Sequence, residues 1–410
     1  MGTRRGTNLP RMGDFNQSVI LEAVRHAVDG LSRIELAQVT GLSAQTVTNI
    51  TRRLLDEGLI REAGRTISGP GKPRVMLRLV EESRFAVGVH LDPAVTTFVL
   101  LDLAGEVVRR SSMATPAEAP SLILADLAAQ IEELVEGSGV PRERIAGVGV
   151  AAPGPLDATR GTVIDPPKLP GWHRVALQDD LAAAIGLPVV LEKDTTAAAV
   201  GELWTRRGPS DDSFVFLYLG TGLGAAVVRD GEAVRGSTRN LGEIGHIVVD
   251  PEGPRCACGS RGCVDVVCTP EAIVERAEQL GVLAGGRRPG DRAALDASLT
   301  ELCVRAAAGE ASAGAVVQRA AEHLATLTLV LTDLLDVDRV VFGGPFWRRL
   351  ADLSLPEVAA RLARSSATRA VRALPVQSTV VGDDVGAVGA ACVVLDSMLT
   401  PRTSDLLLGR

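Results

Sequence analysis

The sequence predicts an α/β protein in two unequal parts, an N-terminal winged helix-turn-helix and a larger body of alternating strands and helices. Three observations carry that expectation. Between residues 20 and 54, apolar side chains recur at helical spacing around a Gly-containing turn, and two β-rich stretches follow. From Phe85 onward, β-rich runs are separated by helical ones. The charge divides at the same place. The first 80 residues hold 12 Lys and Arg against 7 Asp and Glu, and the rest hold 31 against 43, so a segment of +5 precedes a body of −12. That asymmetry suits one end for nucleic acid and the other for something else.

Size and composition set the outer bounds. At 410 residues, with ~150 residues per domain, two to three units are expected. Hydrophobic residues make up 46% of the chain without an uninterrupted apolar run of about 18, so no membrane span is expected. Arg4-Arg5 lacks the apolar segment that would make it an export signal, and Gly6 stands where a myristoylation signal wants Ser or Thr. A cytoplasmic protein is expected. Lysine occurs only at Lys72, Lys168 and Lys193 while arginine is abundant, a bias that a GC-rich genome explains.

In the N-terminal part, Ile20, Leu21, Val24 and Val28 form the first helical stripe, which Asp29-Gly30 ends. Ser32 followed by Glu35 reads as a capping box for a second short helix with Ile34, Leu36 and Val39, closed by Gly41. Ser43 caps a third, in which Val47, Ile50 and Leu54 form the apolar stripe. Its polar side chains are Gln45, Thr46, Thr48, Asn49, Arg52 and Arg53. Gln45 and Asn49 suit adenine edges, Thr46 suits a thymine methyl, and Arg52 and Arg53 suit phosphates. Residues 59–63 and 75–79 are expected to pair as a wing whose Gly-rich tip offers Lys72, with Arg74 beside it, to the DNA backbone or minor groove. Helix, helix, helix and wing, with local positive charge, point to double-stranded operator DNA as a partner.

In the body, strands are expected over residues 85–91, 98–103, 145–150, 188–191 and 214–219, with helices over 122–136 and 177–185. One cluster carries metal chemistry. Cys256, Cys258 and Cys263 lie within eight residues, with Gly259 and Gly262 letting the loop fold back, and His246 precedes them by ten. Three thiolates and an imidazole make a closed tetrahedral zinc site, one ion per chain. A disulfide is disfavoured in a cytoplasmic protein. Cys268, Cys303 and Cys392 sit in apolar surroundings as core residues.

The order of five motifs carries a resemblance. These are Gly147-Val148-Gly149-Val150-Ala151-Ala152-Pro153-Gly154-Pro155, Glu192-Lys193-Asp194, Leu219-Gly220-Thr221-Gly222-Leu223-Gly224, Gly242-Glu243-Ile244-Gly245-His246 and the cysteine run 256–263. Together with the N-terminal winged helix they resemble the repressor branch of the ROK family (repressors, open reading frames and sugar kinases), across residues 15 to 400. The resemblance implies a two-lobed, actin-like ATPase fold of the sugar-kinase type, with a sugar in the interlobe cleft and a homodimer or tetramer. The corresponding division is a DNA-binding domain at 1–82, a first lobe at 83–195 and a second lobe with the zinc loop at 196–383; a C-terminal helix near 384–400 packs back on the first lobe. It also assigns the same four metal ligands, places Glu243 and His246 against sugar hydroxyls, and matches Asp194 to the kinases' catalytic base.

Departures from the kinase pattern shape the functional expectation. Lys193 stands where the family commonly has Asn, and Asp265 where it has Glu; both positions touch the sugar in relatives. In place of the kinases' phosphate loop Asp-x-Gly-Gly-Thr comes Asp92-Pro93-Ala94-Val95-Thr96. Pro93 lacks an N–H and Val95 brings a stiff side chain where backbone amides should approach phosphate. Phosphoryl transfer is mostly positioning and electrostatics, so one Gly-rich loop of two is insufficient. The expectation is a sugar-responsive transcriptional regulator, in sense a repressor, with an inactive kinase-like effector domain; Lys193, Asp194, Glu243, His246 and Asp265 are its effector residues. An active sugar kinase with an added DNA-binding domain is the alternative, and an adaptor for a transport protein a third. Lys193 directed into the cleft would favour an anionic effector unless it pairs with Glu192 or Asp194 or faces solvent. Trp172 is expected in the core rather than stacked on a sugar.

Overall fold

The computed structural model describes residues 9–66, 74–93, 95–115, 120–166, 169, 171–206, 212–288, 290–367 and 369–399. It begins with helix α1 (Leu9–His26), a two-residue strand β1 (Leu31–Ser32), α2 (Arg33–Thr40) and α3 (Ala44–Asp56), then the hairpin β2 (Ile60–Thr66) and β3 (Arg74–Leu79). The local signals act as expected. Ser32 Oγ accepts from the Glu35 amide while Glu35 accepts from the Ser32 amide, and Gly41 ends α2 at φ 68°, where a side chain would be strained. Ser43 caps α3 by accepting from the Thr46 amide. The sheet order is β1-β3-β2, so β1 adds a third strand that the sequence did not signal. Val28, Ile34 and Val39 are exposed. Val28 lies beyond the end of α1, and α2 buries only Leu36, because a two-turn helix presents too narrow a face to bury three apolar positions.

The body is a duplicated α/β unit. Its first lobe holds β4 (Phe85–His90), β5 (Val95–Asp102), β6 (Val107–Ala114), α4 (Pro120–Glu136), β7 (Ile145–Ala152), a small ribbon of β8 (Leu156–Asp157) and β9 (Thr162–Val163), α5 (Leu177–Ile185) and β10 (Val189–Lys193); α6 (Asp194–Thr205) follows. The second holds β11 (Phe214–Leu219), β12 (Leu223–Arg229), β13 (Glu232–Val234), α7 (Val264–Val267), α8 (Pro270–Gln279), α9 (Arg292–Ala307), α10 (Ala311–Leu335), β14 (Arg339–Gly343), α11 (Trp347–Ser365) and β15 (Val376–Ser378); α12 (Val385–Leu399) ends it. The sheets run β6-β5-β4-β7-β10 and β13-β12-β11-β14-β15. In both, three antiparallel strands come first and two parallel strands extend the sheet from the first of them.

The helix leaving each sheet packs against the other. Ala198 and Ala199 of α6 sit with Phe214, Phe216 and Val228 of the second lobe. Ala387, Ala390 and Ala391 of α12 sit with Ala86, Val99 and Ala151 of the first. Glycines make this possible by letting backbone touch backbone. A Cβ on Gly88 would lie 2.0 Å from the Ala387 carbonyl, and one on Gly389 would lie 1.9 Å from that of Ala197. The cleft between the lobes therefore opens where β4, β10 and β11 end. Trp172 is buried in the first-lobe core. Among the described residues, no helix is long and apolar enough to cross a membrane.

Candidate functional site

On α3, the buried stripe Val47, Thr51 and Leu54 leaves Gln45, Asn49, Arg52 and Arg53 exposed on the outer side. Spacings of three and four put these on adjacent turns of one face. The threonines are partly engaged: Thr46 Oγ1 is 2.9 Å from Ser43 Oγ, and Thr48 Oγ1 donates to the Ala44 carbonyl at 2.7 Å. Arg53 pairs with Glu57 at 2.9 Å and Arg74 with Glu35 at 3.7 Å. Such surface pairs are weak enough to be exchanged for phosphate. Lys72 lies outside the described residues. Arg33 Nε donates to Thr51 Oγ1 at 3.1 Å, fixing α2 against α3.

The interlobe cleft has a volume of about 1260 Å³ and is lined by Lys193, Asp194, Glu243, His246 and Asp265 among others. Strand β10 ends at Lys193 and α6 begins at Asp194, so a strand end and a helix start present both side chains to one space. Asp194 accepts from the Thr195 amide at 2.7 Å. Burial raises its carboxyl to about 6, against the pull of the Lys193 ammonium. Lys193, with its side chain 3% exposed, is 2.6 Å from Glu243 Oε1 and donates to the Leu241 carbonyl at 3.1 Å. Neither chain neighbour is the partner found: Glu192 turns away to accept from Arg235 at 2.6 Å, and Asp194 accepts from the Thr195 amide. Chain proximity put Glu192 and Asp194 forward, whereas the second lobe supplies Glu243. Asp265 sits at the foot of α7 against bare Gly245, where a Cβ would be 2.6 Å from its carboxylate.

Four further contacts join the first lobe to the rest of the body, and the sequence motifs pointed to none of them. Asn240 bonds both ways to the Leu156 backbone, at 2.7 and 2.8 Å, tying the second lobe to β8 of the first. Tyr218 Oη and His90 Nε2, from the central strands of the two sheets, are 3.3 Å apart. Burial lowers the His90 imidazole and raises the Tyr218 phenol. Arg110 of β6 pairs with Asp384 at 2.7 Å. Arg292 of α9 forms an ion pair with Asp92, at the loop where a kinase would receive phosphate. Asp92 is thereby committed to a cation of the opposite lobe, and Pro93 beside it offers no amide.

His246, Cys256, Cys258 and Cys263 bring four ligand atoms within 4.8 Å of one another, a cluster that could hold a metal ion. Cys256 Sγ is 3.6 Å from His246 Nδ1, and Cys258 Sγ is 3.6 Å from Cys263 Sγ. The Cys258–Cys263 separation is too long for a disulfide at ~2.05 Å; a tetrahedron with ~2.3 Å metal–sulfur bonds has edges of about 3.7 Å. The Ser260 amide and hydroxyl lower the Cys258 thiol, while desolvation and its neighbouring thiols raise that of Cys263. Cys268, Cys303 and Cys392 are buried and free.

Comparison with known proteins fits both halves. A winged helix-turn-helix DNA-binding profile matches residues 20–61. Over 375 residues the chain is 26% identical to the DNA-binding transcriptional dual regulator NagC of Escherichia coli, covering 90% of this chain and 89% of that one. A glucokinase of Thermotoga maritima is 36% identical over 188 residues, 46% of this chain and 58% of that one. Of the first curated relatives matched, the chain spans 58 to 67% of their length. The crystal structure of a ROK family transcriptional regulator, a homologue of the E. coli MLC protein, superimposes with a TM-score of 0.77 at 24% identity, over 95% of this chain and 98% of that one. The ROK family profile itself matches residues 86–397, and the chain, with its duplicated lobes, Cys3His loop and leading winged helix, belongs to the ROK family.

Proposed function

We propose that this protein is a sugar-responsive, DNA-binding regulator, a repressor of carbohydrate genes, whose kinase-like body serves as effector domain. The observation that carries this is the Arg292–Asp92 pair: the phosphate side of the cleft holds an internal ion pair, while the sugar side keeps a convergent set of acceptors. Asp194, Glu243 and Asp265 accept from hydroxyls, with His246 shared with the metal loop. Zinc at His246, Cys256, Cys258 and Cys263 is structural and shapes the loop that carries Glu243. Domain limits at 1–82, 83–195 and 196–383, and a homodimer or tetramer, complete the reading.

With its charge offset by Glu243, Lys193 supports a neutral polyhydroxyl effector rather than an anionic one. Lys193→Asn is expected to weaken neutral-sugar binding by about tenfold, because Glu243 loses the charge-assisted bond that aims it. Isothermal titration of neutral sugars and their phosphates against both proteins checks this; tighter binding of the phosphates by wild type would reverse the assignment.

DNA contacts are assigned to Gln45, Thr46, Thr48, Asn49, Arg52, Arg53, Lys72 and Arg74. Arg52→Ala should weaken binding to all sequences and lower the salt slope by ~1, whereas Asn49→Ala should cost ~1–3 kcal/mol at one base pair only. Equal wild-type affinity for selected and random DNA would defeat the assignment. An active kinase is the second reading, favoured by Asp194 and the intact Gly220–Gly224 loop. Sugar-dependent ATP consumption by the purified protein would establish it instead.

A further inference from the structure

The winged helix is seated on the body at a specific place. Ile20, Leu21 and Val24 of α1 share one buried core with Val393, Val394 and Leu395 of α12. Beside them Arg25 reaches the end of α6: its Nη1 donates to the Trp204 carbonyl at 2.9 Å, and its guanidinium lies 3.9 Å from the centre of the Trp204 ring. Nη2 is 3.0 Å from His26 Nε2. The ring is buried and closed on its edge by the turn at Gly105, where a Cβ would come within 2.8 Å. A stacked and hydrogen-bonded guanidinium in such a place is a firm, directional contact.

Trp204 lies in the last turn of α6, and the first residue of that helix is Asp194 in the cleft. Twelve residues make a rod about 17 Å long, buried along nearly all its length, so it moves as a unit. Glu202, one turn from its end, is fully buried and holds Arg339 at 3.3 Å, Thr379 Oγ1 at 2.8 Å and the Val380 amide at 3.1 Å, all in the second lobe. Helix α6 is thus bonded to the second lobe through Glu202 while Ala197, Val200 and Trp204 on its other side join the first-lobe core, whereas α12 lies on the first lobe through Gly88 and Gly149. Between them backbone meets backbone, a Cβ on Gly201 falling 3.0 Å from Gly389 and one on Gly389 1.9 Å from the Ala197 carbonyl, so any relative movement is a small shear of packed helices. Helix α1 rests on both, by apolar packing on α12 and by Arg25 on α6.

We propose that Arg25 is the positioning residue that carries occupancy of the cleft to the DNA-binding helices, through the rigid body of α6. A closure that moves the second lobe against the first displaces Trp204 relative to α12, and Arg25 converts that displacement into a tilt of α1. The inference rests on the regulator reading above.

The test uses full-length wild type, Arg25→Ala and Arg25→Lys, with a duplex that wild type selects from random DNA. The probes are D-glucose, D-xylose, N-acetyl-D-glucosamine and cellobiose. Sugar affinity is measured without DNA, and operator affinity with and without saturating sugar. Wild type is expected to change its operator affinity at least about fivefold with the sugar it binds best, within the usual range of coupling. Arg25→Ala should change less than twofold while its sugar affinity stays within threefold of wild type. Arg25→Lys, which keeps the charge but not the planar fork, should fall between them. A merely structural role would lower both affinities together and leave their ratio intact. If Arg25→Ala does not fold, Arg25→Gln replaces it under the same criterion. A full response in the substituted protein overturns the coupling and leaves the regulator reading standing. If none of the four sugars alters wild-type operator binding, the regulator reading falls, and the coupling with it.

Discussion

Cys258→Ser protein purified without chelator is expected to hold less than a tenth of the zinc of wild type, which should carry one ion per chain, and to lose its sugar response while keeping its DNA affinity. The donor set is already gathered, with ligand atoms within 4.8 Å, so little reorganisation opposes binding. Structural zinc sites of this kind bind with ~10–16 kcal/mol, and a thiolate replaced by a hydroxyl forfeits a large share of it. Cys258 is the ligand to change because it is exposed; a serine there adds no buried hydroxyl, as it would at buried Cys263. The loop between Glu243 and Asp265 has little regular structure of its own before α7. It is held by short backbone contacts, such as the Val249 and Asp250 amides on the Gly262 carbonyl at 2.9 and 3.2 Å. Without metal it should loosen, and Glu243 should lose its aim. Helix α3 packs with α1 and α2 in a core that runs on into α12 and the first lobe but includes no residue of the loop 246–263, so DNA binding should persist within about threefold. Elemental analysis, sugar-induced melting shifts and operator titration read the three effects; wild type free of zinc would remove the site.

Gly149→Ala is expected to cost at least ~3 kcal/mol, measured as a fall in the urea midpoint. A Cβ there would stand 1.8 Å from the Ala390 carbonyl oxygen and 2.5 Å from its carbon. Overpacking a core ordinarily costs ~1–3 kcal/mol because side chains give way. Here the obstacle is backbone on both sides, β7 being paired to β4 and β10 and α12 being wedged against α6. Gly314→Ala is the matched control. Nothing lies within 4 Å of its Cβ, and it sits inside α10, so alanine should add up to ~1 kcal/mol by helix propensity. Equal effects of the two substitutions would show that the α12 packing is not the constraint it is taken to be.

Much of this protein is settled by local chemistry, which a sequence displays directly. A capping box needs only Ser32 and Glu35, a helix stop only Gly41, and a cluster able to hold a metal ion only four side chains within eighteen residues. Periodicity likewise identified α3 and its exposed face, because the faces of a helix follow from spacing alone. Charge segregation set a basic N-terminal stretch apart from an acidic body. Tertiary structure decided what joins residues far apart in the chain. Lys193 meets Glu243 rather than its own neighbours, Asp92 meets Arg292, Asn240 pins Leu156, and Arg25 grips Trp204. It also decided which apolar residues are buried: Ile34 and Val39 share a helix with Leu36, yet only Leu36 faces the core. The physical reason is common to both. A contact between distant segments depends on how two lobes and two exchanged helices pack, and that geometry is set by glycines whose absent side chains have no periodic signature.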